Sequence, residues 1–401
     1  MPGLFDPYTL KGVTLRNRIA MSPMTMYSSV DGKMNDYHVM YLGARAAGGF
    51  GLIFPEQVAI LPEGRTSRKC AGIWDDDQIE SHARVTSMVK AHGGVSGIQL
   101  GHTGRNGSEL TPWEGGTQLA PDDPMGWQVV GPSAIPYGCG KRPYPVHALT
   151  RDEIKQVHQA YREAARRSYD AGYEWIEMHF AHGYLGASFW SPLANQRDDE
   201  YGGSPENRVR FHLEALDAVR EVWPEHLPLT MRLGSDDFHP DGVTFDESVW
   251  AIAQMKEHGL DMADISMGGN TDDMDPSFFP QPSAWVDRAR RVKDEVGIPM
   301  TCSWNLGVPA NADAAIRSGA IELVLLGRPA LANPHWPVWA ARELGVDEPF
   351  DLVPEQWGWW LKNFRGHAPS IGWPDVADDP VPTPAEAPDA AAAVAVERSV
   401  A

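Results

Sequence analysis

Short apolar segments alternate along the chain with longer amphipathic stretches. This alternation is typical of parallel strands joined by crossover helices. We predict strands near residues 18–22, 51–55, 95–100, 174–179, 228–233, 262–266, 298–303 and 321–326. The predicted helices span residues 36–48, 78–92, 151–171, 205–222, 245–258, 282–296, 310–318 and 333–343. Eight such units predict an α/β fold of the closed type, a (β/α)8 TIM barrel.

A long stretch rich in glycine and proline, residues 103–149, follows predicted strand 3. It is too long for a plain connection, so we predict an extended, folded excursion over one end of the barrel and a candidate lid. The helix after it is expected to begin at Thr150, and a later helix at Ser204, because hydroxyl side chains cap helix starts.

The sequence divides into three predicted parts. Residues 1–345 form the barrel, residues 346–373 form a tryptophan-rich C-terminal extension, and residues 374–401 form a disordered tail. The tail is rich in proline, alanine and acidic residues, so burial of apolar surface cannot offset its ordering entropy. The tryptophans of the extension are Trp357, Trp359, Trp360 and Trp373. We expect their rings to pack on the barrel or on a second subunit.

Composition narrows the choice of partner. The formal net charge of −20 disfavours nucleic acids and anionic membranes, which are themselves negatively charged. Cys70, Cys139 and Cys302 stand far apart, which excludes a dense disulfide framework and any CxxC metal motif. The start of the chain does not have the pattern of a secretory signal, and no apolar stretch approaches the roughly 20 residues of a membrane helix. We therefore expect a cytoplasmic protein that acts on small molecules.

The carboxyl ends of the predicted strands carry polar side chains, and in such barrels these ends hold the catalytic groups. Strand 4 is followed by HFAHGY, which supplies His179, His182 and Tyr184. Alone, this motif allows a proton relay, simple packing, or a zinc site, as in a hydrolase. Zinc would need a third ligand, for which His102 is the candidate.

Other strand ends point to a phosphorylated ligand. Gly327 and Arg328 follow strand 8, where glycine lets backbone N–H groups approach a phosphate and arginine adds charge. Gln99 and Arg232 end strands 3 and 5, and an amide with a guanidinium suits the polar edge of a flavin ring. Each of these features alone is also compatible with a structural role.

Taken together, these residues resemble the Old Yellow Enzyme family of FMN-dependent barrels, above all its thermophilic-like bacterial branch. The stretches that carry the resemblance are NRIAMSPMTMYSS (17–29), GLIFPEQVAILPEGR (51–65), GIQLGHTGR (97–105), HFAHGYLGASFWSPLANQRDDEYGGSPENRVRF (179–211), TMRLG (230–234) and LLGRPALANP (325–334). The fourth is the most specific, because a strand end with HxxHxY followed by SPxxNxRxDxYGGS is not expected by chance.

The resemblance implies an FMN cofactor, with NADPH or NADH as the reductant. The implied flavin contacts are Pro23, Met24, Thr25, Gln57, Gln99 and Arg232, with Gly327 and Arg328 at the phosphate. His179 and His182 would bind a substrate carbonyl oxygen, Tyr27 would line the substrate site, and Tyr184 would donate a proton. The implied reaction is hydride transfer from flavin N5 to an activated C=C bond. No metal is implied, and relatives of this kind are often homodimers or homotetramers.

Some positions depart from the branch. Thr25 stands where a cysteine is usual, and Trp304 lies at the strand-7 end, where a small phosphate turn is usual. Asn106 follows Arg105 where lysine is common. Thr25 and Trp304 leave open a flavin-dependent dehydrogenase or demethylase, or a double-bond isomerase, on the same barrel, whereas Asn106 bears on substrate scope.

Overall fold

The computed structural model describes residues 1–138, 142–274 and 284–363. The strands are β1 (Tyr8–Leu10), β2 (Val13–Leu15), β3 (Ile19–Met21), β4 (Leu52–Ile53), β5 (Gln57–Ala59), β6 (Val95–Gly101), β7 (Val130–Gly131), β8 (His147–Ala148), β9 (Trp175–Phe180), β10 (Leu229–Gly234), β11 (Met262–Ser266), β12 (Met300–Cys302) and β13 (Leu323–Leu326). The helices are α1 (Asp36–Ala47), α2 (Ile79–Ala91), α3 (Arg151–Asp170), α4 (Leu185–Trp190), α5 (Pro205–Arg220), α6 (Phe245–Glu257), α7 (Ala284–Val296), α8 (Pro309–Arg317), α9 (Arg328–Ala332), α10 (Trp336–Glu343) and α11 (Glu355–Asn363).

Within the described chain, eight parallel strands close into a barrel with helices around it. The ring runs from β3 through β4, β6, β9, β10, β11 and β12 to β13, which pairs with β3 again. The predicted (β/α)8 TIM barrel is therefore confirmed. All eight predicted strands appear at their expected positions, because each is an apolar run between turn-forming residues.

The second barrel strand is broken in two, whereas a single strand near residues 51–55 was predicted from the sequence. β4 pairs with the start of β6, at Val95 and Ser96, whereas β5 pairs with its end, at Gln99 and Leu100. Pro55 lies between the two pieces and has no N–H group to donate to a neighbouring strand. The break places Gln57 beside Gln99 at the mouth of the barrel.

The 103–149 excursion is folded, as predicted. It contains the short parallel pair β7 and β8 and is fastened to the loop after β5. The indole N–H of Trp127 donates to the carbonyl of Glu63 at 3.0 Å, and Arg68 Nε donates to the carbonyl of Met125 at 2.9 Å. Lys69 forms an ion pair with Glu114 at 2.8 Å. The function of a lid remains a prediction.

The start of the C-terminal extension packs on the barrel through aliphatic and phenylalanine side chains. Phe350 and Val353 cover Val338 on α10, and the Trp357 ring lies 5.8 Å from the ring of His335, although Trp357 and Trp359 on α11 remain 46% and 56% exposed. The subunit contact expected for these rings remains a prediction. Cys139, Trp373 and the 374–401 tail lie outside the described residues. Over the part of the chain that the structure describes, no helix is long and apolar enough to cross a membrane.

Both helix starts proposed from the sequence are confirmed. Thr150 caps α3 in a capping box, in which its Oγ1 accepts from the N–H of Glu153 at 3.3 Å and its own N–H donates to the Glu153 carboxylate at 2.7 Å. The Ser204 side chain caps α5 by accepting from the N–H of Asn207.

Replacing Thr150 with alanine is expected to lower the free energy of unfolding by about 1 kcal/mol, because an N–H group at the start of α3 loses its acceptor. Urea denaturation followed by circular dichroism measures the change. A Thr150→Ser variant keeps the hydroxyl and should retain most of the stability. Equal losses for both variants would show that the cap is not the source.

Candidate active site

The HFAHGY segment begins within β9 and turns sharply where the strand ends. His182 and Gly183 both have left-handed backbones, with φ of +59° and +68°. A Cβ atom on Gly183 would lie 2.3 Å from the carbonyl oxygen of Gly269, so only glycine fits without a shift of backbone. The N–H of His182 donates to the carbonyl of Met267 at 3.3 Å. The turn brings His182 and Tyr184 within 5.1 and 4.9 Å of the His179 ring, measured between ring centroids.

Both histidines of the turn are neutral. Burial lowers the pKa of His179 well below its usual value, and the neighbouring His182 ring and the positive charge of Arg232 act in the same direction. Burial and Arg232 lower the pKa of His182 to about 3. The His182 Nε2 lies 2.8 Å from the Ser266 hydroxyl, whereas the buried His179 Nδ1 has no hydrogen-bond partner among the described residues. His179 therefore has a ring nitrogen available for a ligand.

Tyr184 is a protonated phenol beside these rings. Burial raises its pKa to about 12, and a hydrogen bond with the Thr66 hydroxyl at 3.5 Å partly offsets that rise. Burial raises the pKa of Tyr27, the nearby Tyr184 acts in the same direction, and the Tyr27 backbone is also left-handed, with φ of +52°. Its ring packs edge to face against Trp113 at 5.5 Å. Tyr27 and the excursion thus form one side of the mouth.

Arg232 is buried at the same level of the barrel as His179. Strand register pairs it with His179 on β9 and with Asp264 on β11. Its Nε lies 3.0 Å from the Asp264 carboxylate, while its terminal nitrogens donate to the hydroxyls of Ser22 at 3.3 Å and Ser303 at 2.8 Å. The guanidinium is thus fixed by groups from β11 and from the segments that follow β3 and β12.

Two glutamine side chains lie on neighbouring strands of the mouth. Gln57 is buried, and its Nε2 has no hydrogen-bond partner among the residues that the structure describes. Gln99 donates from Nε2 to the buried Glu177 carboxyl at 2.7 Å. Gln57 therefore offers an unused donor. Gln99 is held in place by the carboxyl group of Glu177, a residue that was not predicted from the sequence.

A cavity of about 310 Å³ opens beside these groups. It is lined by Ser22, Pro23, Met24, His182, Arg232, Ser303, Trp304, Asn305, Leu306, Gly307, Leu325, Leu326, Gly327, Arg328 and Pro329. Trp304 has a left-handed backbone, with φ of +79°, and its ring stacks on that of Trp285. Trp304 therefore borders the cavity instead of closing it. The exposed Arg328 and the preceding Gly327 belong to this lining.

The donors around this cavity fit the functional groups of FMN. Arginine and a glycine turn at one end suit a phosphate, while Arg232 and the free amide nitrogen of Gln57 suit the carbonyl oxygens of an isoalloxazine ring. The barrel and this donor set define the class of a flavin-dependent oxidoreductase.

Comparison with known proteins identifies the family. Residues 3–346 match the model of the NADH:flavin oxidoreductase / NADH oxidase family. The chain belongs to this family, and its relatives include Old Yellow Enzyme homologues. It is an NAD(P)H-dependent flavin oxidoreductase, and the cofactors of the family are FMN and NAD(P)H.

The similarity extends over most of the chain. The NADPH dehydrogenase of Geobacillus thermodenitrificans (strain NG80-2) is 43% identical over 345 residues, which are 86% of this chain and 95% of the relative. Morphinone reductase in complex with tetrahydroNAD superposes with a TM-score of 0.69 at 30% identity, over 86% of this chain and 91% of the other. The Old Yellow Enzyme homologue from Zymomonas mobilis gives a TM-score of 0.70 at 26% identity, over 86% and 93%.

The structure brings most of the predicted site residues to one mouth. Pro23, Met24, His182, Arg232, Gly327 and Arg328 line the cavity. His179, Tyr184 and Tyr27 form the adjoining group of rings, and Gln57 and Gln99 lie on neighbouring strands. Thr25 is half-buried on the segment that carries Pro23 and Met24. The roles of these residues remain predictions.

Several polar partners of the site were not predicted from the sequence. These are Ser22, Thr66, Glu177, Asp264, Ser266 and Ser303. A signal existed for the acids, because Glu177 lies two residues before His179 and so faces the same side of β9, and Asp264 interrupts the apolar strand β11.

The zinc alternative lacks a third ligand in the described part of the chain. No group of three histidine, cysteine, aspartate or glutamate residues there is placed to hold a metal ion. His102, the candidate from the sequence, accepts a hydrogen bond at Nδ1 from the N–H of Gly104 at 2.9 Å, and although its Nε2 has no partner, it belongs to no such group.

Replacing Arg328 with alanine is expected to weaken FMN binding at least roughly tenfold, because a hydrogen bond to a charged group contributes about 1.5–3 kcal/mol. Quenching of flavin fluorescence on titration of the apoprotein gives the dissociation constant. Arg84→Ala, which removes an exposed arginine from α2, is the matched control. Unchanged binding in the Arg328 variant would contradict its assignment to the phosphate.

Proposed function

We propose that this enzyme reduces the activated C=C bond of α,β-unsaturated carbonyl compounds with NADPH or NADH. The observation that carries the proposal is the group formed by His179, His182 and Tyr184. It combines two neutral imidazoles with one protonated phenol in a buried position. A carbonyl oxygen that gains negative charge needs hydrogen-bond donors, and the neighbouring carbon needs an acid.

The flavin is proposed to occupy the cavity beside this group. Pro23, Met24 and Thr25 would border its ring, Gln57, Gln99 and Arg232 would bind its polar edge, and Gly327 with Arg328 would bind the phosphate. When bound, FMN supplies hydride that originates from NAD(P)H. The protein contributes binding, orientation and proton supply.

His179 and His182 are the proposed donors to the substrate oxygen. Because burial and Arg232 keep both rings uncharged, each ring carries a single N–H group. If the His182 Nε2 accepts from the Ser266 hydroxyl, its proton lies on Nδ1. Donors of this kind typically lower a barrier by about 2.7–4 kcal/mol each, because they are already oriented when charge develops on the oxygen.

Tyr184 is the proposed acid. Its raised pKa keeps the phenol protonated at neutral pH, so a proton is available for the α-carbon of the substrate. Thr66, its hydrogen-bond partner, keeps the hydroxyl oriented within the mouth. Tyr27 is proposed to line the substrate site from the other side.

We further propose that NADPH or NADH binds at the same mouth, in turn with the substrate. The similar morphinone reductase is described in complex with tetrahydroNAD, and the Geobacillus relatives are NADPH dehydrogenases. A homodimer or homotetramer in the cytoplasm is proposed as the working form.

Anaerobic stopped-flow absorbance tests the reaction. Mixing the FMN-loaded enzyme with NADPH or NADH is expected to bleach the flavin, and adding cyclohexenone or a maleimide should restore its colour. The two steps are expected to occur in turn, because both partners use one mouth and the oxidised coenzyme must leave before the alkene binds.

A different outcome would favour the other reaction direction. Bleaching by an amine or a saturated ring compound, with no reoxidation by any activated alkene, would support a dehydrogenase or demethylase. Migration of a double bond without net reduction would support an isomerase.

Replacing Tyr184 with phenylalanine should slow reoxidation by cyclohexenone roughly 100-fold or more, because general acid catalysis contributes about 10²–10⁴ in rate. Flavin reduction by NADPH should stay near the wild-type rate. The matched control is Tyr169→Phe, at a half-exposed tyrosine on α3. An unchanged rate of reoxidation would assign the proton to another donor.

A further inference from the structure

Three ionisable side chains are buried together near the mouth of the barrel. Arg232, Glu177 and Asp264 are 6%, 2% and 0% exposed. With all three ionised, the group would carry a net charge of −1 in a site that water hardly reaches. An unbalanced buried charge is costly, and such groups usually neutralise by taking up a proton. One of the two acids is therefore expected to be protonated.

The contacts indicate which acid carries the proton. Asp264 lies 3.0 Å from the Arg232 Nε and is its direct counter-ion. Glu177 forms no salt bridge among the described residues, and the contact made by its carboxyl is with the neutral amide of Gln99. Burial raises the pKa of Glu177 to about 8, and the negative charge of Asp264 acts in the same direction. Burial also raises the pKa of Asp264, to about 6, and Arg232 opposes that rise.

Glu177 is also the group that holds Gln99. Since the Gln99 Nε2 donates to Glu177 Oε1, the Gln99 carbonyl oxygen remains available as an acceptor. β6 and β9 place the two residues directly opposite each other in register. Glu177 thus has two effects on the mouth: it orients one proposed flavin contact, and its charge state sets the net charge around Arg232.

We propose that Glu177 is a positioning residue of the flavin site, protonated at neutral pH, so that Asp264 alone balances Arg232 and Gln99 stays fixed toward the cofactor. The inference rests on the placement of the flavin given under the proposed function. Ionisation of Glu177 adds a buried negative charge close to a site for an anionic cofactor. The affinity for FMN should therefore fall as the pH rises through about 8.

The other charged and titratable groups facing Glu177 do not produce the same pH dependence. Asp264 comes from β11, and its pKa of about 6 places its ionisation below that of Glu177, while Arg232 from β10 is its direct counter-ion. His179, on the same face of β9, has a strongly lowered pKa and is neutral at pH 7. Burial raises the pKa of the Cys302 thiol on β12, so this group stays protonated.

The test is the dissociation constant of FMN for the apoprotein between pH 6.5 and pH 9.5, for the wild type and for Glu177→Gln. Fluorescence quenching gives each value. For the wild type, linkage of one proton predicts weakening of roughly tenfold over this range. For Glu177→Gln, which keeps an acceptor for Gln99 and cannot ionise, the affinity should change over this range only as far as titration of FMN itself changes it. Titration of FMN itself is common to both proteins and cancels in the comparison.

Two results would overturn the proposal. The first is an equal pH dependence of FMN affinity in both proteins. The second is a loss of FMN affinity of tenfold or more in Glu177→Gln at pH 7. Such a loss would show that the ionised form of Glu177 is needed. A wild type that binds no FMN at any pH would instead contradict the flavin site itself.

Glu56→Gln is the matched control. It removes another buried acid, which pairs with His38 and not with Arg232, and it should keep the wild-type pH dependence.

A second measurement avoids the variant, in case Glu177→Gln does not fold. Titration calorimetry of the wild type in two buffers of different ionisation enthalpy counts the protons taken up as FMN binds. Uptake is expected near pH 8.5, because a bound anion favours the protonated carboxyl, and the phosphate, with a pKa of about 6, is already fully ionised there. Binding without proton uptake at that pH would contradict the proposal.

Discussion

The buried positive charge of Arg232 governs the electrostatics of the whole mouth. It is paired with Asp264 at 3.0 Å, and its other nitrogens donate to two serine hydroxyls. The same charge helps to lower the pKa values of His179 and His182, so both rings remain neutral donors. It also limits how far burial can raise the pKa values of Glu177 and Asp264. Together with burial, this guanidinium keeps the histidines neutral, and it is the direct counter-ion of Asp264.

The barrel makes this arrangement possible because parallel strands in register place side chains of one level next to each other. His179, Arg232 and Asp264 come from three consecutive strands and occupy one level. Gln57, Gln99 and Glu177 form a second row across β5, β6 and β9. The loop after β9 completes the group of rings. The left-handed turn at His182 and Gly183 brings the His182 and Tyr184 rings against that of His179.

Much of this could be predicted from the sequence. Apolar runs gave the eight barrel strands their positions, and the Thr150 and Ser204 caps marked helix starts because capping depends on local chemistry. The HFAHGY motif placed the catalytic candidates at a strand end. The pairing of Gln99 with Glu177 and the break between β4 and β5 were not foreseen, since they depend on register between strands distant in sequence. The short helices α4 and α9, which directly follow Tyr184 and Gly327, were missed because five or six residues show no periodic pattern.

The most direct test of this account is a crystal structure of the FMN-loaded enzyme with cyclohexenone or another unsaturated ketone bound. The account predicts the ketone oxygen within about 2.7–3.2 Å of one nitrogen each of His179 and His182, with the Tyr184 hydroxyl beside the α-carbon. A ketone oxygen bound by other groups, with the His179 Nδ1 still without a partner, would contradict it.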